Sequence, residues 1–312
     1  MPTKVTPQAP LFLAGPTAVG KTEVALLLAE RLGGEIISVD SMQVYRGLDI
    51  GTAKPSAADR ARVPHHLLDV VVLTEPFDAA KFVALARAAI WQIQERGRIP
   101  ILCGGTGLYF KALLDGLGEA PPADPALRAE LEAAPLADLL RELAGRDPAT
   151  FERIDRQNPR RVIRALEVIR LTGRPFSEQR AHWPTSESSR TTHHAPRFFA
   201  LSRRSEDLQK RIDARVDQMF ARGLVAETQA VLQCGLEHNK TAMQAIGYRQ
   251  VIEHLRGERS LEETVALVKL RTRQFAKRQM TWFRRQLPVT WIEVGPGEQM
   301  KEVAARLLAL AQ

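Results

Sequence analysis

The chain has 312 residues, of which 45% are hydrophobic and 26% charged, values that are ordinary for a soluble globular protein. Its two cysteines, Cys103 and Cys234, are too few for a disulfide framework, and no apolar run is long enough for a bilayer span or a signal-peptide core. We therefore expect a cytoplasmic protein that has no membrane segment.

The formal net charge of +8 is unevenly distributed. Residues 1–118 carry 12 Lys/Arg and 11 Asp/Glu, which leaves 32 of the 44 basic and 25 of the 36 acidic residues in 119–312, a local net charge of +7. Residues 269–285 include seven basic residues and no acidic one. This excess favours a polyanionic partner such as a nucleic acid, although a solvated surface would carry the same charges.

The first third of the chain alternates predicted strands and helices. Apolar runs predict strands at 11–14, 36–39, 67–72 and 99–103, and helical spacing predicts helices at 21–32, 78–96 and 108–114. Asp78 is the expected N-cap of the second helix and Gly97 its expected end. This alternation indicates right-handed βαβ units around a parallel sheet.

The segment 15–22 reads G-P-T-A-V-G-K-T between the first strand and the first helix, which is the context of a phosphate-binding P-loop. Its backbone N–H groups and the following helix N-terminus favour an anion, the Lys21 ammonium adds a positive charge, and the Thr22 hydroxyl is placed to hold Mg²⁺. We predict a diphosphate or triphosphate site formed by Gly15, Pro16, Thr17, Ala18, Val19, Gly20, Lys21 and Thr22.

Polar residues also follow two other predicted strands. Asp40 comes after 36–39, and Thr106 lies in the turn after 99–103. Ligands of parallel sheets lie beyond the carboxyl ends of the strands, so Asp40 could accept a proton or steer Mg²⁺, and the Thr106 hydroxyl could stabilise a leaving group. The structural alternatives are a turn or cap at Asp40 and a capped turn at Thr106.

The pattern changes after the Pro-rich segment 119–125 and becomes mainly helical, with a further strand predicted at 197–202 and an exposed loop at 184–196. Further helices are predicted at 128–143, 160–171, 207–222, 225–233, 242–255 and 261–285. We predict an α/β fold in which a P-loop parallel sheet flanked by helices (1–118 and 197–312) contains a mainly helical insertion domain (119–196).

Several positive side chains recur at helical spacing, including Arg271, Arg278 and Arg285. Phe275 and Trp282 lie among them, and a basic stripe with aromatic residues suits RNA, although the sequence favours packing of these two rings into the core. The pairs His65-His66 and His193-His194 have no zinc-like spacing and are predicted to be structural or surface residues.

Eight segments together resemble the tRNA dimethylallyltransferase family, also called tRNA isopentenyltransferase, in its bacterial form. They are GPTAVGKT (15–22), ISVDSMQVYRGLDIGTAKP (37–55), PHHLLDV (64–70), GGTGLYFKALLDGL (104–117), NPRRVIRALEV (158–168), RIDARVDQMF (211–220), AIGYRQ (245–250) and TRQFAKRQMTW (272–282). The resemblance implies transfer of a dimethylallyl group from dimethylallyl diphosphate to N6 of the adenosine 3′-adjacent to the tRNA anticodon, with release of diphosphate.

The resemblance also implies roles for individual residues. Asp40 takes the N6 proton, Thr106 bonds toward the departing oxygen, Arg215 contacts the diphosphate together with the P-loop, and Thr22 holds Mg²⁺. The implied tRNA-binding residues are Asp40, Ser41, Met42, Gln43, Thr106, Arg128, Arg160, Arg161, Val162, Ile163, Arg164, Gln244, Ala245, Ile246, Gly247, Tyr248 and Arg249.

Two other function classes fit parts of the sequence. A P-loop small-molecule kinase explains residues 1–118 and leaves the basic second half without a role. An RNA-binding protein with a regulatory P-loop explains the basic half without catalysis. The partners expected from the resemblance are the anticodon stem-loop of a tRNA and dimethylallyl diphosphate, bound by a monomer.

Overall fold

The computed structural model describes residues 9–118, 120–179 and 197–311. Across these residues six parallel strands form one sheet in the order β3-β2-β4-β1-β5-β6. The strands are β1 Leu11–Ala14, β2 Glu35–Val39, β3 His65–His66, β4 Pro100–Gly104, β5 Arg197–Ser202 and β6 Thr290–Glu293.

The helices follow in chain order. They are α1 Lys21–Leu32, α2 Ala57–Arg62, α3 Ala79–Glu95, α4 Gly107–Asp115, α5 Pro125–Ala133, α6 Leu136–Arg146, α7 Pro148–Arg153, α8 Pro159–Thr172, α9 Phe176–Gln179, α10 Ser205–Ala221, α11 Leu224–Gln233, α12 Tyr248–Leu255, α13 Leu261–Gln286 and α14 Met300–Ala311. Among the described residues no helix is both long and apolar enough to cross a membrane.

β1 lies in the middle of the sheet, between β4 and β5, and all four of its residues are buried. β2 pairs with β4 on the other side of β4. Because all these strands run parallel, the segments after β1, β2 and β4 emerge at the same edge of the sheet. The predicted α/β fold is confirmed, and β1, β5 and α1 have the predicted bounds.

Local signals set several helix ends, and two of them, Asp78 and Gly97, were predicted from the sequence. The Asp78 carboxylate accepts a hydrogen bond of 2.9 Å from the Lys81 N–H and caps α3. Gly97 follows this helix with a positive φ of 69°. Ser260 and Glu263 form a capping box at the start of α13, and the Lys111 ammonium donates to the Gln286 carbonyl at its end, 2.8 Å away. A cation at this end also complements the helix dipole.

Three predicted elements are wrong. The run 67–72 is not a strand, because Leu67 and Asp69 have φ angles of 60° and 57° and the chain bends; β3 precedes it. The predicted helix 128–143 is interrupted at Pro135, between α5 and α6. The predicted helix 242–255 is a short 3₁₀ turn at Ala242–Gln244 followed by α12, and Gly247 between them has a φ of 105°. The predicted loop 184–196 lies outside the described residues.

The chain divides into two compact units, Met1–Leu113 with Thr185–Gln312, and Leu114–Pro184. The first contains the sheet. The second, which we call the helical unit, has its own core, built from α5, α6 and α8. The buried side chains of this core include Leu131, Leu139, Leu143, Val162 and Leu166. The sequence-based boundaries, 119 and 196, differ from those of the helical unit, 114 and 184, by 5 and 12 residues.

Candidate active site at the carboxyl edge of the sheet

The loop between β1 and α1 has the backbone conformation of an anion-binding loop. Gly15 and Gly20 have φ angles of 143° and 114°, and Ala18 between them is also left-handed at 64°. A Cβ atom on Gly15 would lie 2.7 Å from the Leu201 carbonyl oxygen, so a side chain is excluded there. Turns of this kind direct consecutive N–H groups to one side, where the N-terminus of α1 adds its partial positive charge.

Three side chains from distant segments bond the outer side of this loop. The guanidinium groups of Arg203 and Arg211 donate to the carbonyl oxygens of Val19 and Ala18, each over 2.9 Å. The Gln279 side chain accepts from the Thr17 N–H, also over 2.9 Å. These bonds hold the loop through two of its carbonyl oxygens and through the Thr17 N–H, which Gln279 occupies. Arg211 and Gln279 lie in two segments that carry the family resemblance, 211–220 and 272–282, but the sequence assigned none of the three residues a contact with this loop.

Lys21 lies at the start of α1 and donates to the Pro16 carbonyl, 2.7 Å away. Burial lowers the pKa of its ammonium from 10.5 to about 8; the nearby charge of Arg215 also lowers it, whereas the charge of Asp40 raises it. Burial raises the pKa of the Cys103 thiol to about 11, so this group is neutral at pH 7. A positive charge held in a buried site with few counter-charges favours the binding of an anion.

Arg215 of α10 lies beside the P-loop. It donates to the Thr17 hydroxyl over 3.4 Å, and burial lowers the pKa of its guanidinium. Its position on α10 brings it next to the loop, as the prediction for a diphosphate contact requires. Thr22, in the first turn of α1, is exposed.

Asp40 and Thr106 are neighbours at the ends of β2 and β4. The Thr106 hydroxyl accepts from the Ser41 N–H over 3.1 Å, and the Thr106 N–H donates to the Val39 carbonyl over 3.2 Å. The ends of β2 and β4 can lie this close only because residue 104 is glycine, since a Cβ atom there would lie 2.0 Å from the Val39 carbonyl oxygen. The two residues that the sequence singled out therefore belong to one site.

The Asp40 carboxylate caps a turn through one of its oxygens, and its predicted role as a base stays a prediction. Its Oδ1 accepts from the N–H groups of Met42 and Gln43, at 2.8 and 3.2 Å, so Asp40 does cap the turn. Among the described residues, Oδ2 has no hydrogen-bond partner. The carboxylate is thus held in a fixed direction by one oxygen while the other can accept a proton.

The side chain of Gln43 is occupied within the protein. It accepts from the Ser38 hydroxyl over 2.9 Å and donates to the carbonyls of Thr52 and Ala53, at 3.0 and 3.3 Å. Buried Lys54 stabilises the same segment by ion pairs with Asp49 and Asp69, at 2.7 and 2.5 Å. These bonds give Gln43 a structural role, and its predicted contact with tRNA remains a prediction.

The predicted tRNA-binding segment 244–249 is partly internal. Tyr248 is fully buried, and its hydroxyl donates to the Glu227 carboxylate over 2.6 Å. The same carboxylate also accepts from the Ile50 N–H. Ala245 is buried and Ile246 is half-buried. Gln244 and Arg249 have exposed side chains within this segment, so they are the members that can reach a ligand by their side chains.

The predicted tRNA-binding residues of the helical unit also differ in exposure. Val162 and Ile163 are buried in its core, whereas Arg160 and Arg161 are exposed in the first turns of α8. Arg164 and Arg128 each donate to the buried Glu167 carboxylate over 2.6 Å. These two ion pairs give both arginines a structural role within the helical unit.

The histidine pairs have no metal-binding arrangement in the described part of the chain. His66 on β3 bonds the Glu35 carboxylate, 2.6 Å away, and His65 bonds the Val63 carbonyl. Within the described residues, no group of three or more His, Cys, Asp or Glu side chains is placed to hold a metal ion. The pair 193–194 lies outside these residues.

The fold and this site define a P-loop α/β protein whose anion-binding loop faces a carboxylate and a hydroxyl on adjacent strand ends. A family model described as IPP transferase matches residues 43–286. The chain belongs to this family, as the sequence resemblance predicted.

Individual relatives agree with this assignment. The chain is 50% identical over 286 residues to tRNA dimethylallyltransferase 1 of Trichlorobacter lovleyi, covering 90% of this chain and 92% of the relative. The crystal structure of a tRNA isopentenylpyrophosphate transferase from Bacillus halodurans is 40% identical, with a TM-score of 0.67 and coverage of 97% and 96%. A eukaryotic dimethylallyltransferase acting on tRNA is 27% identical, with a TM-score of 0.78 and coverage of 97% and 77%.

Proposed function

We propose that this protein transfers the dimethylallyl group of dimethylallyl diphosphate to N6 of the adenosine that follows the anticodon of a tRNA. One observation carries the proposal: the P-loop, with Lys21 and Arg215, lies at the same sheet edge as Asp40 and Thr106. An anion site that faces a carboxylate with one open oxygen suits the transfer of an allyl group from a diphosphate to an amine.

The chemistry divides between these residues. The N6 lone pair is delocalised into the adenine ring, so the amine is a weak nucleophile and the reaction depends on a good leaving group. The amine attacks C1 of the allyl group, the bond from C1 to the diphosphate oxygen breaks, and the N6 proton passes to Oδ2 of Asp40. Lys21, Arg215 and the loop amides bind the diphosphate charge, and the Thr106 hydroxyl can donate to the departing oxygen.

Mg²⁺ is part of this proposal. It is usually held by one or two protein groups together with substrate phosphates, and the exposed Thr22 hydroxyl beside the phosphate loop fits this arrangement. When bound, the ion would neutralise part of the leaving group's charge. The adenosine must also leave its stack to reach Asp40, at a cost of about a few kcal/mol.

The proposal includes a monomer in the cytoplasm. All the proposed catalytic groups come from one chain, and both cysteines are free thiols, as in a reducing compartment.

Labelled dimethylallyl diphosphate incubated with unmodified tRNA tests the function. We expect label on the adenosine next to the anticodon, and no label on a tRNA that carries another base there. ATP competition gives a second test: micromolar binding of ATP without binding of dimethylallyl diphosphate would replace the transferase by a kinase. Tight tRNA binding without label at any enzyme concentration would indicate an RNA-binding protein instead.

A further inference from the structure

We propose that Glu227 of α11 is a positioning residue, which fixes the direction of the Asp40 carboxylate through a chain of hydrogen bonds. This inference rests on the proposed function and adds to it a side chain that touches no reacting atom. Asp40 begins a turn, residues 40–43, which we call the active-site turn. From this turn to residue 56 the chain forms no helix and no named strand. Its backbone groups therefore depend on bonds to side chains and to other segments.

The Glu227 carboxylate holds this segment at a point several residues beyond the active-site turn. It accepts from the Ile50 N–H over 2.8 Å and from the Gly51 N–H over 3.2 Å. The Tyr248 hydroxyl of α12 donates to the same carboxylate over 2.6 Å and accepts from the Gly51 N–H over 3.2 Å. Residue 51 must be glycine for this packing, because a Cβ atom there would lie 2.4 Å from the Tyr248 ring. Hydrogen bonds to a carboxylate are stronger than those between neutral groups, so Glu227 is the main anchor of this segment on α11.

Gln43 connects the anchored segment to the active-site turn. Its side-chain amide donates to the carbonyls of Thr52 and Ala53, at 3.0 and 3.3 Å, and these two residues directly follow the ones that Glu227 holds. The backbone N–H of Gln43 donates to Oδ1 of Asp40 over 3.2 Å. Hydrogen bonds and adjacent peptide units therefore run without a gap from α11 to the oxygen that orients the Asp40 carboxylate.

The consequence of losing Glu227 should fall on the proposed base and not on the diphosphate site. The Ser38 hydroxyl still holds the Gln43 side chain over 2.9 Å, so the active-site turn should loosen without unfolding. The P-loop is held from outside by Arg203, Arg211 and Gln279, which lie in other segments. A displacement of about 1 Å in a catalytic group can cost about 100-fold in rate. Glu227 should therefore influence kcat much more than the binding of the donor.

A double-mutant cycle between Glu227→Ala and Asp40→Asn tests the inference. The measurements are kcat and the KM for dimethylallyl diphosphate at saturating tRNA, with the Tm of each variant. Glu227→Gln is the conservative variant, because its side-chain oxygen can still accept from the backbone N–H groups. Tyr248→Phe removes one hydroxyl and keeps the ring. Glu237→Ala is the matched control, since this exposed carboxylate follows α11 and pairs with Arg256.

We expect Glu227→Ala to lower kcat by about 10- to 100-fold while the donor KM changes by less than about twofold. Tyr248→Phe should lower kcat by a smaller factor, and Glu227→Gln and Glu237→Ala should keep most of the wild-type kcat. In the Asp40→Asn protein, Glu227→Ala should lower kcat by less than about threefold, because the group that it positions is already disabled.

An equal loss of kcat in both backgrounds, or a loss that appears in the donor KM alone, would overturn the inference and leave the proposed function intact. If Glu227→Ala does not fold, the same cycle is measured with Tyr248→Phe, and a wild-type kcat in that variant would overturn the inference. A wild-type kcat in Asp40→Asn would overturn it together with the base role. Wild-type protein that transfers no label to tRNA would overturn it together with the proposed function.

Discussion

Replacing Gln279 by Leu should affect stability and catalysis together. Its side chain joins two loops, because it accepts from the Thr17 N–H and donates to the Gly105 carbonyl, both over 2.9 Å. Gln279 is 7% exposed, and a Cβ atom on Gly105 would lie 2.3 Å from its amide nitrogen, so water cannot easily replace it. Leu fills a similar volume but leaves one buried donor and one buried acceptor without partners.

The expected loss follows from these two bonds. An unpaired buried polar group costs about 1–3 kcal/mol, so the loss of both partners should lower the free energy of unfolding by about 2–6 kcal/mol. For a unit of this size that corresponds to a Tm lower by roughly 4–24 °C. Because Thr17 would lose its fixed orientation, kcat/KM for the prenyl donor should fall by about 10- to 100-fold.

Thermal unfolding and steady-state kinetics with varied dimethylallyl diphosphate measure both effects. Gln209→Leu is the matched control, since Gln209 is exposed on α10 and, within the described residues, its side chain bonds only the Ser205 hydroxyl. A Gln279→Leu protein that keeps the wild-type Tm and the wild-type donor kinetics would refute the idea that this side chain fixes the P-loop.

Three further predictions concern other parts of the structure. Asp40→Asn should keep the capped turn, since its side-chain oxygen can still accept, while kcat falls by about 10²- to 10⁴-fold and the donor KM changes little; a change in KM alone would exclude the base role. The kcat/KM for the donor should fall as pH rises through about 8, where Lys21 loses its proton, by about tenfold per pH unit above that value. Lys21→Arg should remove this fall. A wild-type profile that is flat to pH 9.5 would contradict the role assigned to the Lys21 charge. Glu167→Ala should destabilise the helical unit by about 2–4 kcal/mol in chemical denaturation, because Arg128 and Arg164 lose their shared carboxylate; a loss below about 0.5 kcal/mol would mean that solvent already screens these pairs.

Local patterns determined much of the fold. The sequence predicted β1, β5 and α1 with their observed bounds. It could do so because the apolar run of a buried strand, or the apolar face of a helix, is formed by residues that are close together in the sequence. The sequence also predicted the P-loop, since its glycines, Lys21 and Thr22 lie together in one short segment between β1 and α1. Asp40 and Thr106 are 66 residues apart in the sequence. They lie at one site because they follow β2 and β4, which are neighbours in the sheet.

Tertiary structure alone decided the rest. Gln279 lies 262 residues from Thr17, and Arg203 and Arg211 reach the same loop from α10 and the residues before it. The segments 211–220 and 272–282 carry the family resemblance, but they do not indicate which loop these side chains contact. The strand predicted at 67–72 failed because Asp69 adopts a left-handed conformation in which its carboxylate meets Lys54, an ion pair that hydrophobicity does not encode. Short-range periodicity records which face of an element is apolar; which polar groups meet across the fold depends on how the elements pack.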